Sequence, residues 1–259
     1  MPSKGGTHSM RLHAASLESV FTDAALGRGD SRGPFGAYAD ICCSHQVAWQ
    51  ITTGQIGIGE TLEEAVPTKE IRLGAVDFHE VCRILESDNF LCGRRVLPVR
   101  LDCFDEHFLC AEALCRLAAR SACDTLRAGS APDVIDGFAR LCDRLDNAAS
   151  SRDLYHFIEA EAHLHRFVSE LTRNDHLISL LNGLERGRIR YHFFTFERHP
   201  AVMDGVAERS RKLLEALTGP DTRKATAQLV AINRTIWQAG HQSLAALPDD
   251  HRFNSTRPE

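Results

Sequence analysis

The sequence lacks any apolar run that approaches the roughly 18 residues a helix needs to cross a bilayer. Its first residues, MPSKGGTHSMRLHAAS, also lack the long apolar core of a secretory signal. These two absences argue against a membrane protein and against an exported one. We therefore expect the protein to reside in the cytoplasm and to have no membrane among its partners.

Paired cysteines are absent as well. The chain has nine cysteines, an odd number, and no two of them stand in the C-x-x-C arrangement of metal and redox motifs. Cys42 and Cys43 are adjacent, and five more are scattered over residues 103–142. This pattern indicates reduced thiols that serve as small apolar residues of a core, and it argues against a disulfide framework.

An excess of positive charge is also missing. The 30 Lys and Arg residues are outnumbered by 35 Asp and Glu residues, which gives a net charge of −5. This balance argues against a strongly basic nucleic-acid binder, although it is compatible with a local basic patch. The hydrophobic fraction of 43% and the charged fraction of 25% are those of an ordinary globular protein. A chain of 259 residues is long enough for one large domain or two ordinary ones.

The clearest positive signal is the segment 154–171, LYHFIEAEAHLHRFVSEL. Glu161 and His165 are four residues apart within its apolar stripe, so both are predicted to face the interior of the protein. A buried carboxylate and imidazole are costly unless they are paired, ligated or directed at a cavity, which predicts a polar pocket in a helical domain. The stripe consists of Leu154, Phe157, Ile158, Leu164, Val168 and Leu171. The opposite face, predicted to be solvated, consists of His156, Glu159, His163 and Glu170.

The N-terminal part of the chain has the outline of a winged helix-turn-helix. Residues 1–35, which include many Gly, Ser, Arg and Asp, are predicted to form a mobile tail. Residues 36–101 are predicted to form the folded domain. Its predicted segments are a helix over 38–53, a glycine-punctuated turn or strand over 54–62, helices over 62–70 and 76–85, and a hairpin over 90–101.

Long amphipathic segments with hardly any strand-like sequence fill residues 102–247. Short breaks with Gly, Ser and Pro separate them, which is typical of an antiparallel bundle of about six helices. Residues 248–259 are predicted to be a polar, frayed tail. The predicted fold class is therefore mainly α. The predicted helices are 106–127, 132–147, 154–171, 176–194, 201–217 and 221–244.

Three motifs follow one another along the chain: GQIGIGETL at residues 54–62, HEVCRILESDNF at residues 79–90, and EAHLH at residues 161–165 with Asn174 nine residues further on. Together they resemble motifs of the GntR family of bacterial transcription regulators, in its FadR-like branch. The family has G-x-[IL]-x-x-G-x-x-L first, R-E-A-L-x-x-L-x-x-x-G-[LWF] at the end of the recognition helix, and D-x-x-F-H followed by Asn in the helical domain. Here Glu takes the place of that Asp. The resemblance covers residues 38–245.

The resemblance implies a ligand-responsive regulator that binds operator DNA as a homodimer. It further implies a small organic acid or acyl-type effector in the helical domain and no catalysed reaction. The chain departs from the family in the first domain, where His79 stands at one arginine position and the other arginine is lost near Asp77. The candidate DNA-binding residues are Lys69, Arg72, His79, Arg83, Arg94 and Arg95.

The charge of the first domain leaves an alternative open. Residues 38–101 contain six Lys and Arg residues against nine Asp and Glu residues. Affinity for duplex DNA depends on cations that neutralise phosphates, so an acidic domain must gather its few cations on one face. The alternative is a ligand-binding or assembly protein on the same scaffold that no longer binds DNA.

The resemblance also implies a divalent metal, Zn, Ni or Mn, held by an Asp and three His on the inner face of the bundle. Glu161 and His165 match the first two ligands, whereas Ser210 stands at the third position and the fourth lies near Ile232 or Asn233. Two protein ligands from a single helix rarely hold a metal. We therefore expect that no cofactor is required.

Two other interpretations of the buried pair stay open. One is a metal-free ligand pocket in which Glu161, His165, Ser210 and Asn233 form hydrogen bonds and Arg188 faces an anionic effector. Arg188 shares a helix with two other arginines, so a solvated basic face is the alternative for it. The other interpretation is a Glu–His pair that satisfies itself in the core. In a dry pair the carboxylate would keep the imidazole protonated.

Overall fold

The computed structural model describes residues 34–62, 78–129 and 132–247. The chain divides after Pro98 into two compact units. The tails predicted at the two ends and the helix predicted over residues 62–70 lie wholly or almost wholly outside the described residues. So do two candidate DNA-binding residues, Lys69 and Arg72. No helix within the described ranges is long and apolar enough to cross a membrane.

The first unit contains helices and a short hairpin. Its described elements are α1 (Pro34–Thr52), α2 (Phe78–Ser87), β1 (Leu91–Cys92) and β2 (Arg95–Val96). α1 begins four residues before the predicted start, because a proline suits the first turn of a helix, where its missing N–H costs nothing. The predicted hairpin is present but shorter than residues 90–101, since its strands end at Val96 and Leu101 already belongs to the next helix. Gly93 and Arg94 form the two-residue turn of the hairpin. Their φ angles of 54° and 64° are the left-handed values that a type I′ turn requires.

A small apolar core holds the first unit together. The segment GQIGIGETL contributes to it through Ile56 and Leu62, which are 3% and 0% exposed, while Ile58 between them is 65% exposed. Thr61 forms a bridge to Arg95, so this segment lies beside the hairpin. The core consists of Cys43, Val47, Ile51, Ile56, Leu62, Val81, Cys82, Leu85, Phe90, Leu91 and Val96.

The second unit is a helical bundle. Its described elements are α3 (Leu101–Arg127), α4 (Pro132–Ser151), α5 (Leu154–Leu171), α6 (Asp175–Arg198), α7 (Ala201–Thr218) and α8 (Thr222–Ala245). Each corresponds to a predicted helix, and the mainly α fold class is confirmed. α3 begins at Leu101 instead of Glu106, because Phe104 in this first turn is fully buried and extends the apolar stripe.

Packing within the bundle surrounds α5 on several sides. α5 contacts α3, α4 and α6, while α8 packs against α3, α6 and α7. Three helices begin at residues whose side chains accept a hydrogen bond from a backbone N–H of the first turn, namely Asp153, Asn174 and Asp221. The central position of α5 explains why its polar residues meet other side chains instead of water.

Candidate functional site

A charged cluster lies between α5 and α6, and the carboxylate of Glu161 is its centre. Nη2 of Arg188 donates to both oxygens of this carboxylate, at 2.8 and 2.9 Å. Nε2 of His165 lies 2.9 Å from Oε1, and Nδ1 of His192 lies 3.0 Å from Oε2. The most exposed of the four residues, His165, is only 6% exposed. The cluster is therefore an ionic site within the interior of the bundle.

Helical spacing on both helices builds this cluster. Glu161 and His165 are one turn apart on α5, and on α6 Glu185 and His192 lie three and four residues from Arg188. Residues at these spacings share one helical face, so the two faces meet with their polar side chains opposed. Nη1 of Arg188 lies 3.0 Å from Oε1 of Glu185. The guanidinium is thus held between two carboxyl groups.

The central Glu–His pair is charged. Burial would raise the pKa of Glu161, but Arg188, His192 and His165 together hold that pKa well below its usual value. Burial and Arg188 oppose protonation of His165, yet the Glu161 carboxylate and a hydrogen bond with Cys115 outweigh them and raise its pKa to about 9. His165 is therefore an imidazolium at neutral pH, in agreement with the expectation for a dry pair.

Burial shifts the pKa values of the neighbouring titratable groups in the direction of their neutral forms. Burial lowers the pKa of His192 to about 4 and that of His107, on α3, to about 3. Burial also raises the pKa of Glu185, although Arg188 acts in the opposite direction. The cluster thus contains two cations, one full carboxylate and a second carboxyl group of reduced acidity.

Ser210 and Asn233 form their hydrogen bonds elsewhere. The hydroxyl of Ser210 donates to the backbone oxygen of Val206 at 2.8 Å, within α7. Nδ2 of Asn233 donates to Sγ of Cys115 at 3.3 Å and to a backbone oxygen of its own helix at 3.1 Å. Because Cys115 also bonds to His165, Asn233 is linked to the cluster through this thiol.

A groove of about 520 Å³ runs between α3 and α8, and its lining includes Phe108 and Asn233. The ring of Phe108 stacks on His192, with 6.0 Å between the ring centres and 23° between the planes. Oδ1 of Asn233 and Nε2 of His192 are buried and have no hydrogen-bond partner within the described part of the chain. Buried polar atoms are seldom left unpaired, so these two acceptors indicate a site for a ligand or a water molecule.

The residues present do not fit the metal site that the resemblance implies. Both oxygens of Glu161 are bound by Arg188, and the hydroxyl of Ser210 and the amide nitrogen of Asn233 are engaged in their own helices. Within the ranges that the structure describes, no group of three or more His, Cys, Asp or Glu side chains is placed to hold an ion. The donor set therefore does not suit Zn, Ni or Mn.

The candidate DNA-binding surface lies on α2 and the hairpin. His79 and Arg83 are exposed on α2, and Arg95 is exposed on β2. Nη2 of Arg94, in the hairpin turn, lies 3.1 Å from Nδ1 of His79, which brings the turn and the helix together. Nε and Nη2 of Arg83 donate to the carboxylate of Glu80 at 2.7 and 2.5 Å. Part of the positive charge on this surface is therefore already neutralised.

Two expectations about exposed faces are wrong. Glu159 was predicted on the solvated face of α5, but it is 3% exposed and lies 3.0 Å from Nη2 of Arg144, because α4 covers that side. The solvated basic face on α6 is also absent, since Arg188 and Arg190 are only 2% and 6% exposed. In both places the charges face neighbouring helices.

Sequence reasoning alone did not select His192, Glu185 or Cys115 as site residues. The signal for the first two exists, because they lie four and three residues from Arg188 and so share its helical face. Cys115 gave no such signal, since its role depends on where α3 lies relative to α5 and α8.

The comparisons with known proteins agree with this architecture. The profile of the FCD domain matches residues 107–235. The solved structure of E. coli McbR/YncC covers 79% of this chain and 98% of its own, with a TM-score of 0.63 and 18% identity. The match to a putative transcriptional regulator GntR from Rhodococcus sp. RHA1 covers 81% of this chain and 99% of that one, with a TM-score of 0.59 and 16% identity. No curated protein matches the chain significantly. At such low identities the structures establish the fold.

Proposed function

Because the chain belongs to the GntR family of transcription regulators through its FCD domain, we propose that it binds operator DNA and changes its affinity for that DNA when a small organic acid binds in the helical unit. The family expected from the sequence is thereby confirmed. The observation that carries the proposal is the charged cluster beside the groove, which supplies buried cations and unpaired acceptors at one place in the bundle.

The chemistry of the cluster supports an acidic effector. Arg188 and His165 are two buried cations, and Glu161 balances one of these charges. A carboxylate from a ligand would therefore compete with Glu185, whose pKa burial raises, for the second. The unpaired acceptors of Asn233 and His192 would each receive a hydrogen bond from a separate O–H or N–H group of the same ligand. Asn233 also lines the groove, which supplies a route from the surface.

The first unit supports contact with DNA. Basic and imidazole groups lie on two elements that meet through the contact of Arg94 with His79, namely His79 and Arg83 on α2 and Arg94 and Arg95 in the hairpin. In winged helix-turn-helix proteins such a helix reads base edges while basic side chains hold phosphates. These residues are therefore the ones that we propose to contact the operator.

An exposed stripe on α3 supports a symmetric dimer. Leu109 and Leu117 are 73% and 53% exposed and lie two turns apart, with exposed Ala113 midway between them. A twofold axis beside Ala113, with the two helices antiparallel, would place Leu109 next to Leu117 of a second copy. The same axis would place Glu106 next to Arg120 of that copy. Apolar side chains would then meet apolar side chains, and opposite charges would meet each other. A second copy of the chain is therefore the partner that fits the stripe.

One observation favours a second candidate, a ligand-binding protein that does not bind DNA. The guanidinium of Arg83 is held by Glu80, and acidic residues outnumber basic ones in the first unit. Neutralised cations release no counterions from DNA and contribute little affinity.

A salt-resolved gel-shift assay tests the proposal. DNA from the region upstream of the gene is titrated with the protein between about 50 and 200 mM salt, where several phosphate contacts predict a steep loss of affinity. Small mono- and dicarboxylic acids are then added, and a coupled acid is expected to change the affinity by roughly 5- to 150-fold. The Arg95→Ala change should weaken DNA binding, while Arg223→Ala on an exposed part of α8 serves as its control.

A separate variant tests whether DNA binding responds to an acid. His192→Phe keeps an aromatic ring against Phe108 but removes both the Nε2 acceptor and the Nδ1 contact with Glu161, so we expect DNA binding with a weakened response to acid. His156→Phe, on the exposed side of α5, is its control. Acid binding in a thermal-shift assay without any salt-dependent DNA binding would favour the second candidate instead.

A further inference from the structure

We infer that Arg188 is the resident cation of the helical unit: its guanidinium lies where a divalent metal would bind to Glu161, and the site functions without a metal. The inference goes beyond the proposed function and does not depend on it, because it concerns metal binding alone. A failure of DNA or acid binding would leave it standing.

The geometry of the guanidinium is that of a cation shared by both oxygens of a carboxylate. Nη2 of Arg188 lies 2.8 and 2.9 Å from the two oxygens of Glu161, so it stands almost symmetrically before the carboxylate. The imidazoles of His165 and His192 approach the same two oxygens at 2.9 and 3.0 Å. Three nitrogen-bearing groups therefore surround one carboxylate, and the one that bridges its oxygens is an arginine.

A metal ion and this guanidinium exclude one another. Zinc binds a carboxylate oxygen at about 2.0–2.2 Å, which would place it between Glu161 and Nη2 of Arg188. Two positive charges at such a separation repel strongly inside a protein. Arg188 is only 2% exposed and is held at its other nitrogen by Glu185, so the guanidinium has no solvent into which it could withdraw.

Removing the guanidinium would leave the donors of a metal site. Arg188 bonds to the carboxylates of Glu161 and Glu185, and the imidazoles of His165 and His192 lie against the two oxygens of Glu161. Two carboxylates and two imidazoles are therefore close to one another, although the described residues are not arranged as an ion site while the guanidinium is present. Carboxylate and imidazole are ligand types that zinc accepts. Arg188 thus both blocks and replaces an ion, and we expect the residues around it to bind one once the guanidinium is removed.

Zinc titration of the full chain and of four variants, R188M, R188M/E161Q, R190M and E161Q, tests the inference. Each protein is stripped with EDTA, dialysed and titrated with Zn²⁺ by calorimetry, and the retained metal is measured by elemental analysis. We expect the unaltered chain to retain no stoichiometric zinc. Arg188→Met should gain one site per chain, about 100-fold tighter than any zinc binding by the unaltered chain. The double change R188M/E161Q should lose this site.

The matched control is Arg190→Met, which removes another buried arginine two residues away on α6 and should gain no site. It also accounts for weak zinc binding by the nine cysteines, which all variants share. A full equivalent of zinc on the unaltered chain that E161Q removes would overturn the inference, and so would a folded R188M protein that binds no more zinc than R190M. If R188M folds poorly, zinc-dependent recovery of its helical circular dichroism supports the inference, and the lack of recovery contradicts it.

Discussion

Glu161 is stable in the interior because each side of its carboxylate meets a nitrogen. An isolated buried charge is very costly, and its neighbours compensate only when the geometry is good. Arg188, His165 and His192 supply that geometry, with distances of 2.8 to 3.0 Å. Removing one partner of such a group typically costs about 3–5 kcal/mol, because the remaining charge is left without compensation. We therefore regard these residues as one unit whose members stabilise one another.

At the scale of a residue, His165 predicts a pH dependence of stability. Its pKa is raised from 6.5 to about 9, so the stability that it contributes is fully present below pH 6.5 and is lost as the pH rises toward 9. We expect the free energy of unfolding to fall by roughly 3 kcal/mol over this range. His192 and His107 have lowered pKa values, so their contribution is instead lost as the pH falls below 6.5 toward about 4 and 3.

Urea unfolding at a series of pH values measures this effect. His165→Gln should remove the alkaline loss, since the variant has no imidazolium to deprotonate. His156→Gln, on the exposed side of α5, should keep the profile of the unaltered chain. An equal loss of unfolding free energy at alkaline pH in H165Q would show that a group other than His165 causes the loss.

At the scale of an element, the approach of α8 to its neighbours depends on a single small residue. A Cβ atom at Gly240 would overlap the ring of Phe104 on α3 and Oγ1 of Thr195 on α6. Phe104 is fully buried and Thr195 is held by its own hydrogen bond to the backbone oxygen of Tyr191, so neither can move without loss. The closeness of these helices therefore requires glycine.

This contact predicts that Gly240→Ala destabilises the protein. Alanine alone would favour a helix over glycine by about 1 kcal/mol, but the overlap should outweigh this gain and cost about 1–3 kcal/mol. The control is Gly183→Ala on α6, where nothing lies within 4 Å of the added atom, and it should stabilise slightly. Chemical denaturation of both variants measures the difference. Equal stabilities would contradict the packing described for α8.

At the scale of the whole molecule, the stripe on α3 predicts how two copies associate. Leu117→Asp should convert the dimer to monomers in sedimentation experiments, since a charge would have to be buried in the apolar seam. Leu180→Asp changes another leucine, 58% exposed on α6, and should leave the dimer intact. Glu106→Arg and Arg120→Glu should each weaken the dimer, and the two changes together should restore it. A monomeric unaltered chain, or a dimer insensitive to L117D, would rule out this surface.

Local sequence was sufficient to predict the elements of the fold that the structure describes. The spacing of apolar residues located the six helices of the second unit, and the run Gly93-Arg94-Arg95 marked the place of the hairpin. Helix ends were less predictable, because the first turn of α3 depends on Phe104 reaching a core built by other helices. The same limit applies to the polar face of α5, where Glu159 is buried only because α4 lies over it.

The sequence by itself determined that Glu161 and His165 face inward, because helical periodicity is a property of the local backbone. Only the tertiary structure decided which groups meet them. The rotation of α6 about its axis presents Arg188 and His192 to the carboxylate, while Ser210 bonds within its own helix and Asn233 connects through Cys115. Such rotations result from the packing of all the helices at once, and no local spacing encodes them. For this reason a polar pocket around Glu161 and His165 was foreseeable from the sequence, but the bonds from Arg188 to the carboxylate of Glu161 were not.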